Sequence, residues 1–118
     1  KHREDYRPFA ASIINEDVQN FFDWEGESNF MKYSVKFKDK IFAPISHIDN
    51  TSRIQTVTED VKIFYELINE FKKLTGLPMV LNTSLNDNGK PIAGKPSDAI
   101  TLLNNSQMDS LVVGDEVF

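Results

Sequence analysis

Between Thr58 and Thr75 the apolar residues Val61, Phe64, Tyr65, Ile68, Phe71 and Leu74 recur at helical spacing, and this stretch does most to restrict the fold. Glu59 and Asp60 put negative charge at the start of the helix it predicts, and Lys72 and Lys73 put positive charge at its end. Both signs suit the helix dipole. Gly76 fits a left-handed cap, and Pro78 prevents the helix from continuing. The chain then runs through a short apolar segment, Pro78 to Leu81, which reads as a buried strand. The stripe is expected to be core, with no cofactor box in it.

The remaining sequence alternates in the same way. Phe9 to Ile14 is apolar enough for a buried strand. Asn15, Glu16 and Asp17 can cap and charge a short helix carrying Val18, Phe21 and Phe22. Asp23 to Ser28 is an acidic loop. Phe30 to Phe37 alternates as a strand with one wetter face, and Arg53 to Val57 is another short strand. Pro96 suits a first helical position, ahead of Ala99, Ile100, Leu102 and Leu103. Leu111-Val112-Val113 closes the chain as a final strand. Interleaved strands and helices predict an α/β (α+β) fold, a mixed sheet with one layer covered by helices.

With 118 residues, a single domain over 1–118 is expected. A domain of that size buries roughly two-thirds of its unfolded surface, enough for a modest core. The chain has no cysteine, which excludes disulfides and thiolate metal sites. His2 and His47 stand far apart, and no ligand spacing completes a zinc site around them. A net charge of −5 counts against non-specific nucleic-acid binding. No run is long and apolar enough to span a membrane, and no signal peptide opens the chain. A cytoplasmic location is expected. The charged, proline-containing start, Lys1 to Pro8, reads as the edge of an excised fragment.

Chemistry concentrates after the 78–81 strand. Asn82-Thr83-Ser84-Leu85-Asn86-Asp87-Asn88 offers donors and acceptors with little fixed charge, suited to a planar, neutral, amide-like group. On spacing alone, the same residues read first as a polar loop that satisfies its own backbone. Arg53 lies at the mouth of its strand among small polar residues, as an anion clamp would. Asp49 is the competing structural partner for it. Lys1, Arg3 and Arg7 could grip a polyanion or simply be a solvated terminus. His47 is expected to hydrogen-bond its own loop, and Lys90 and Lys95 to be surface lysines. No Walker or Rossmann glycine loop is present.

Six segments stand together in one family's order: Lys1 to Ala10, Asn29 to Met31, His47 to Val57, Thr75 to Ile92, Ser97 to Ile100, and Asp109 to Gly114. They resemble the C-terminal domain of the O-carbamoyltransferases, which carbamoylate hydroxyls of nodulation factors and antibiotics. The resemblance spans essentially the whole chain. Its most specific parts are the asparagine-rich loop and the segment from His47 to Arg53.

The resemblance implies a YrdC-like domain, here truncated at its N-terminal side, that binds ATP and carbamoyl phosphate and makes carbamoyl-adenylate. It implies that Arg53 and Asn82 are the catalytic pair. Arg53 would hold the phosphate of carbamoyl phosphate, and Asn82 would donate to the carbamoyl oxygen and accept from its amine. Thr83 and Ser84 would complete that cradle, and Lys1 and Arg7 would bind the phosphates of ATP. Mg²⁺ would arrive with ATP. Iron would belong to a separate N-terminal Kae1-like, actin-related domain, the partner that transfers the carbamoyl group to an acceptor hydroxyl. A homodimer covering surface meant for that partner would also be consistent, and the isolated chain is expected to be inactive.

Four positions depart from the family pattern. Ala11 replaces a usual proline, Asn50 a glycine, Leu85 a phenylalanine and Lys90 a glutamate. Two other readings differ in class. A threonylcarbamoyl-adenylate synthase of the same fold would serve tRNA modification and display a basic groove. A non-catalytic interaction domain would bind no nucleotide.

Overall fold

The computed structural model describes residues 8–39 and 42–118. The expectations placed on Lys1, Arg3 and Arg7 lie outside these residues. The chain divides into two compact units, one within 8–83 and one over Ser84–Phe118.

The first unit is built on a five-stranded mixed sheet in the order β2-β3-β4-β1-β5. Its strands are β1 (Ala10–Ile14), β2 (Phe22–Asp23), β3 (Ser34–Phe37), β4 (Thr51–Val57) and β5 (Met79–Asn82). Central β1 runs parallel to β4 and antiparallel to β5, so Ser12 faces Gln55 on one side and Val80 on the other. A 3-10 turn at Asn15–Asp17 leads into α1 (Val18–Phe21). A second, Glu59–Val61, leads into α2 (Lys62–Thr75). The mixed α/β architecture expected from the sequence is therefore the one observed.

Alternation along the strands separates two apolar clusters. Ala11, Ile13, Ile54 and Met79 face one side with Val35, Phe37, Phe22 and Ile45. Phe22 has no exposed surface and packs its ring 4.6 Å from that of Phe37. Ile14 and Val57 face the other side, where Ile68, Phe64 and Tyr65 of α2 cover them together with Val80.

Some local expectations are revised. No side chain of Asn15–Asp17 caps the short helix, and Phe22 opens β2 instead of ending α1. The Phe30–Phe37 strand begins only at Ser34, because Met31 takes a positive φ of 52° that breaks the extended run. Within the strand that remains, Val35 and Phe37 are buried while Ser34 and Lys36 are wet. The α2 stripe is only partly core: Ile68 is buried, but Val61 and Leu74 are exposed, as are Ile63 and Leu67 beside them. A helix of 14 residues is about 21 Å long. The apolar sheet surface it meets is only Ile14, Val57 and Val80. Gly76 closes the helix at φ 78° with its N–H donating to the Lys72 carbonyl, as its position in the sequence predicts.

Asn50 has a φ of 61°, a left-handed conformation. Glycine adopts this conformation freely, and asparagine tolerates it. Asn50→Ala is expected to destabilise the protein by about 1–2 kcal/mol, whereas Asn50→Gly should be near neutral. Urea denaturation of both variants checks this; equal stability of the two would remove the backbone explanation.

The second unit holds α3 (Pro96–Asn104) and a hairpin of β6 (Val112–Val113) and β7 (Glu116–Val117). The sequence predicts β6 but not its partner. Gly114 turns the hairpin at φ 62°, and Leu111 and Phe118 exchange backbone hydrogen bonds at its open end. Pro96 starts α3 as expected, and the Asp98 carboxylate accepts from the N–H groups of Gly94 and Lys95 ahead of it. Among the described residues, no helix is long and apolar enough to cross a membrane.

Candidate functional site

The helix-covered face of the sheet changes character within two residues. Ile14, Val57 and Val80 lie under α2. One step along the same face come Ser12, Gln55 and Asn82, and the next position on β4 is Arg53. Ala10 pairs with Asn82, and Ala11 with Ile54, so Arg53 falls in the row of Ala10 and Asn82. Arg53 and Asn82 therefore share a face, on strands separated by β1, with backbones roughly 10 Å from each other. Ligand sites in parallel sheets lie at the carboxyl ends of strands. This cluster instead lies at the amino ends of parallel β1 and β4. Only antiparallel β5 brings a carboxyl end, and with it Asn82.

Arg53 is exposed, and among the described residues no carboxylate is paired with it. The competing partner is committed elsewhere. Asp49 Oδ1 accepts from the Thr51 hydroxyl at 2.7 Å and from the Thr51 N–H at 3.1 Å. The Thr51 hydroxyl, first among several causes, holds the Asp49 carboxyl below its ordinary value. A depressed folded value means that the contribution is in place above the unfolded pKa and is lost as pH falls through the folded one. Thr51→Val is expected to raise the Asp49 titration midpoint, measured by carboxyl NMR shifts; an unmoved midpoint would show that Thr51 does not set it. His47 bonds within its own loop, as expected: its Nδ1 lies 3.2 Å from Thr51 Oγ1, and its N–H donates to the Thr51 carbonyl.

Asn82 is tied into the sheet. Its Nδ2 donates to Ser12 Oγ at 2.8 Å and to Gln55 Oε1 at 2.9 Å. Ser12 Oγ also donates to Gln55 Oε1, at 2.8 Å. The amide nitrogen of Asn82 is thus held by two acceptors inside the protein. In this structure the Asn82 nitrogen is turned to Ser12 and Gln55, and among the described residues its oxygen accepts no hydrogen bond. Ser12 and Gln55 were missed by sequence reasoning, although period-two alternation contains the signal. Ser12 is the one polar residue in Ala10–Ile14, and Gln55 stands two positions from Arg53.

Thr83 follows β5, and Ser84 opens the second unit. Ser84 Oγ donates to Asn86 Oδ1 at 2.6 Å, and Asn86 Nδ2 donates to the Lys90 carbonyl at 2.7 Å. Gly89, with a φ of 73°, lies in the turn where the Lys90 N–H reaches the Asp87 carbonyl. Lys90 is exposed and 3.4 Å from Asp87. The asparagine-rich loop therefore satisfies much of its own backbone from Asn86 onward, while Asn82 faces the sheet. A cavity of about 340 Å³ lies within this second unit, between residues 85–93 and α3, lined by Leu85, Lys90, Ile92, Asp98, Thr101 and Asn105 among others. Arg53 and Asn82 do not line it.

The chain belongs to the carbamoyltransferase C-terminus family, whose sequence model matches residues 1–118. It is 42% identical to the nodulation protein NolO of Bradyrhizobium diazoefficiens, over 97% of this chain and 22% of that protein. It is 40% identical to the nodulation protein NolNO of Sinorhizobium fredii, over 97% of this chain and 18% of that protein. To the 3'-hydroxymethylcephem-O-carbamoyltransferase of Amycolatopsis lactamdurans it is 31% identical, over 98% of this chain and 22% of that enzyme. The chain spans about a fifth of the length of these relatives.

Proposed function

We propose that this chain is the carbamoyl-activating part of an O-carbamoyltransferase, binding carbamoyl phosphate at Arg53 and Asn82 and joining carbamate to the adenylate of ATP. The observation that carries the reading is the shared sheet face, where a guanidinium with no carboxylate partner among the described residues and an outward amide oxygen stand with only β1 between their strands. The family match supports the reaction class.

Carbamoyl phosphate joins a phosphate dianion to an amide-like head. The Arg53 fork suits the phosphate through two parallel charge-assisted bonds. The Asn82 oxygen suits the carbamoyl amine, and Thr83 and Ser84 adjoin it in sequence as further polar groups. In the proposed reaction, water releases carbamate and inorganic phosphate from carbamoyl phosphate. A carbamate oxygen then attacks the α-phosphorus of ATP, and pyrophosphate leaves. Positioning and neutralisation of charge are the protein's share of such chemistry.

Lys1 and Arg7 are proposed for the phosphates of ATP, and no geometry is assigned to them. Among the described residues, no group of three or more His, Cys, Asp or Glu could hold a metal ion. Mg²⁺ is assigned as the companion of ATP, on its phosphates. The proposed partner is the actin-related N-terminal domain, where the carbamoyl group would pass to a hydroxyl of a small molecule or glycan.

The test is pyrophosphate release from ATP by the full-length protein, with and without carbamoyl phosphate. Release that requires carbamoyl phosphate is expected. Release indifferent to it would overturn the reading.

A further inference from the structure

We propose that Gln55, with Ser12, is a positioning residue that locks the Asn82 side chain with its oxygen outward, so that the site selects a ligand presenting N–H groups. This rests on the reading of Arg53 and Asn82 as the carbamoyl phosphate site.

The orientation of an amide is settled by its hydrogen-bond network. Here the network ends on a group with only one option. Gln55 Nε2 donates to the backbone carbonyl of Asn29 at 3.2 Å. A carbonyl oxygen only accepts, so the nitrogen of Gln55 must face it and Gln55 Oε1 must face inward. That oxygen sits 2.9 Å from the Asn82 amide and 2.8 Å from Ser12 Oγ. Reversing Asn82 would set two oxygens against each other at that distance, so Nδ2 faces Gln55 and Oδ1 faces away.

The far end of the network is itself fixed. The Thr56 N–H donates to the Ser28 carbonyl at 3.1 Å, the Ser28 N–H to Thr56 Oγ1 at 2.7 Å, and Ser28 Oγ to the Ile54 carbonyl at 2.8 Å. Ser28 is buried and adjoins Asn29 in the chain. A segment bound to the edge of β4 therefore holds the carbonyl that orients Gln55, which in turn orients Asn82. Among the described residues, Asn82 Oδ1 accepts no hydrogen bond.

An outward acceptor discriminates by chemistry. A carbamoyl amine can donate to it, whereas the methyl of an acetyl group of nearly the same shape cannot and would leave the oxygen unpaired. Ser12 alone would not impose this choice, because a hydroxyl both donates and accepts. Gln55 breaks the tie.

The experiment uses the full-length protein, Gln55→Met and Gln55→Glu. The first readout is hydrogen exchange of the Asn82 side-chain amide by ¹⁵N NMR, which needs no ligand. Slow exchange is expected in the wild type, fast exchange in Gln55→Met, and intermediate exchange in Gln55→Glu, whose carboxylate still accepts from Asn82 but sets its other oxygen against the Asn29 carbonyl. Circular dichroism confirms that each variant is folded. The second readout is the affinity ratio for carbamoyl phosphate over acetyl phosphate by calorimetric titration. The wild type should favour carbamoyl phosphate by about three- to tenfold, the worth of one hydrogen bond, and Gln55→Met should bring the ratio towards unity. Fast exchange in the wild type would overturn the lock. Slow exchange with an unchanged ratio in Gln55→Met would overturn the selectivity while leaving the site reading intact. Slow exchange with neither phosphate bound by the wild type would overturn the site reading and the selectivity with it.

Discussion

Replacing Arg53 by alanine in the full-length protein should weaken carbamoyl phosphate use by roughly ten- to a hundredfold, the loss expected for a charge-assisted contact of about 1.5–3 kcal/mol. Stability should hardly change. The side chain is exposed, and among the described residues it pairs with no carboxylate, so its removal leaves no buried partner behind. Arg53→Lys should rescue poorly, because an ammonium cannot reproduce two parallel bonds from one plane. The measurement is the carbamoyl phosphate dependence of pyrophosphate release, paired with urea denaturation. Wild-type kinetics in Arg53→Ala would remove Arg53 from the site. A large fall in stability would instead assign it a structural role.

The opposite pattern is expected of Phe22→Ala, which should destabilise the protein by about 3–5 kcal/mol. Phe22 has no exposed surface, sits at the turn from α1 into β2, and packs on Phe37 across the β2–β3 pair. Its removal opens a cavity in the cluster that also contains Ile13 and Ile54. Those two residues belong to β1 and β4, the strands that carry Ser12, Gln55 and Arg53 on their opposite face. Activity should therefore fall together with the folded fraction and recover on cooling or in stabilising osmolyte. Full stability in Phe22→Ala would show that this cluster does not hold the sheet together. Loss of activity in fully folded protein would point to a role for Phe22 beyond packing.

Much of the fold is legible in the sequence, because local pattern and local chemistry agree. Gly76 and Pro78 end α2 where they stand, Pro96 starts α3, and alternation puts Val35 and Phe37 inside with Ser34 and Lys36 outside. Arg53 and Asn82 are also visible, as polar residues at the ends of strand-like runs. What fails is whatever depends on a distant partner. The β7 half of the last hairpin carries too short a signal. The exposed ends of the α2 stripe follow from how little apolar sheet lies beneath it.

The site divides along the same line. Residue types and alternation by themselves determine that the chain has an arginine and an asparagine suited to an anion and an amide. Only the tertiary structure decides that they share a face, because that depends on the register of β1 with β4 and β5, which joins residues 43 and 70 positions apart in the chain. It alone decides which atom Asn82 presents. An amide has a donor end and an acceptor end, and nothing in the sequence says which is used. That choice is made by the Asn29 carbonyl, which can only accept, acting through Gln55 across the sheet.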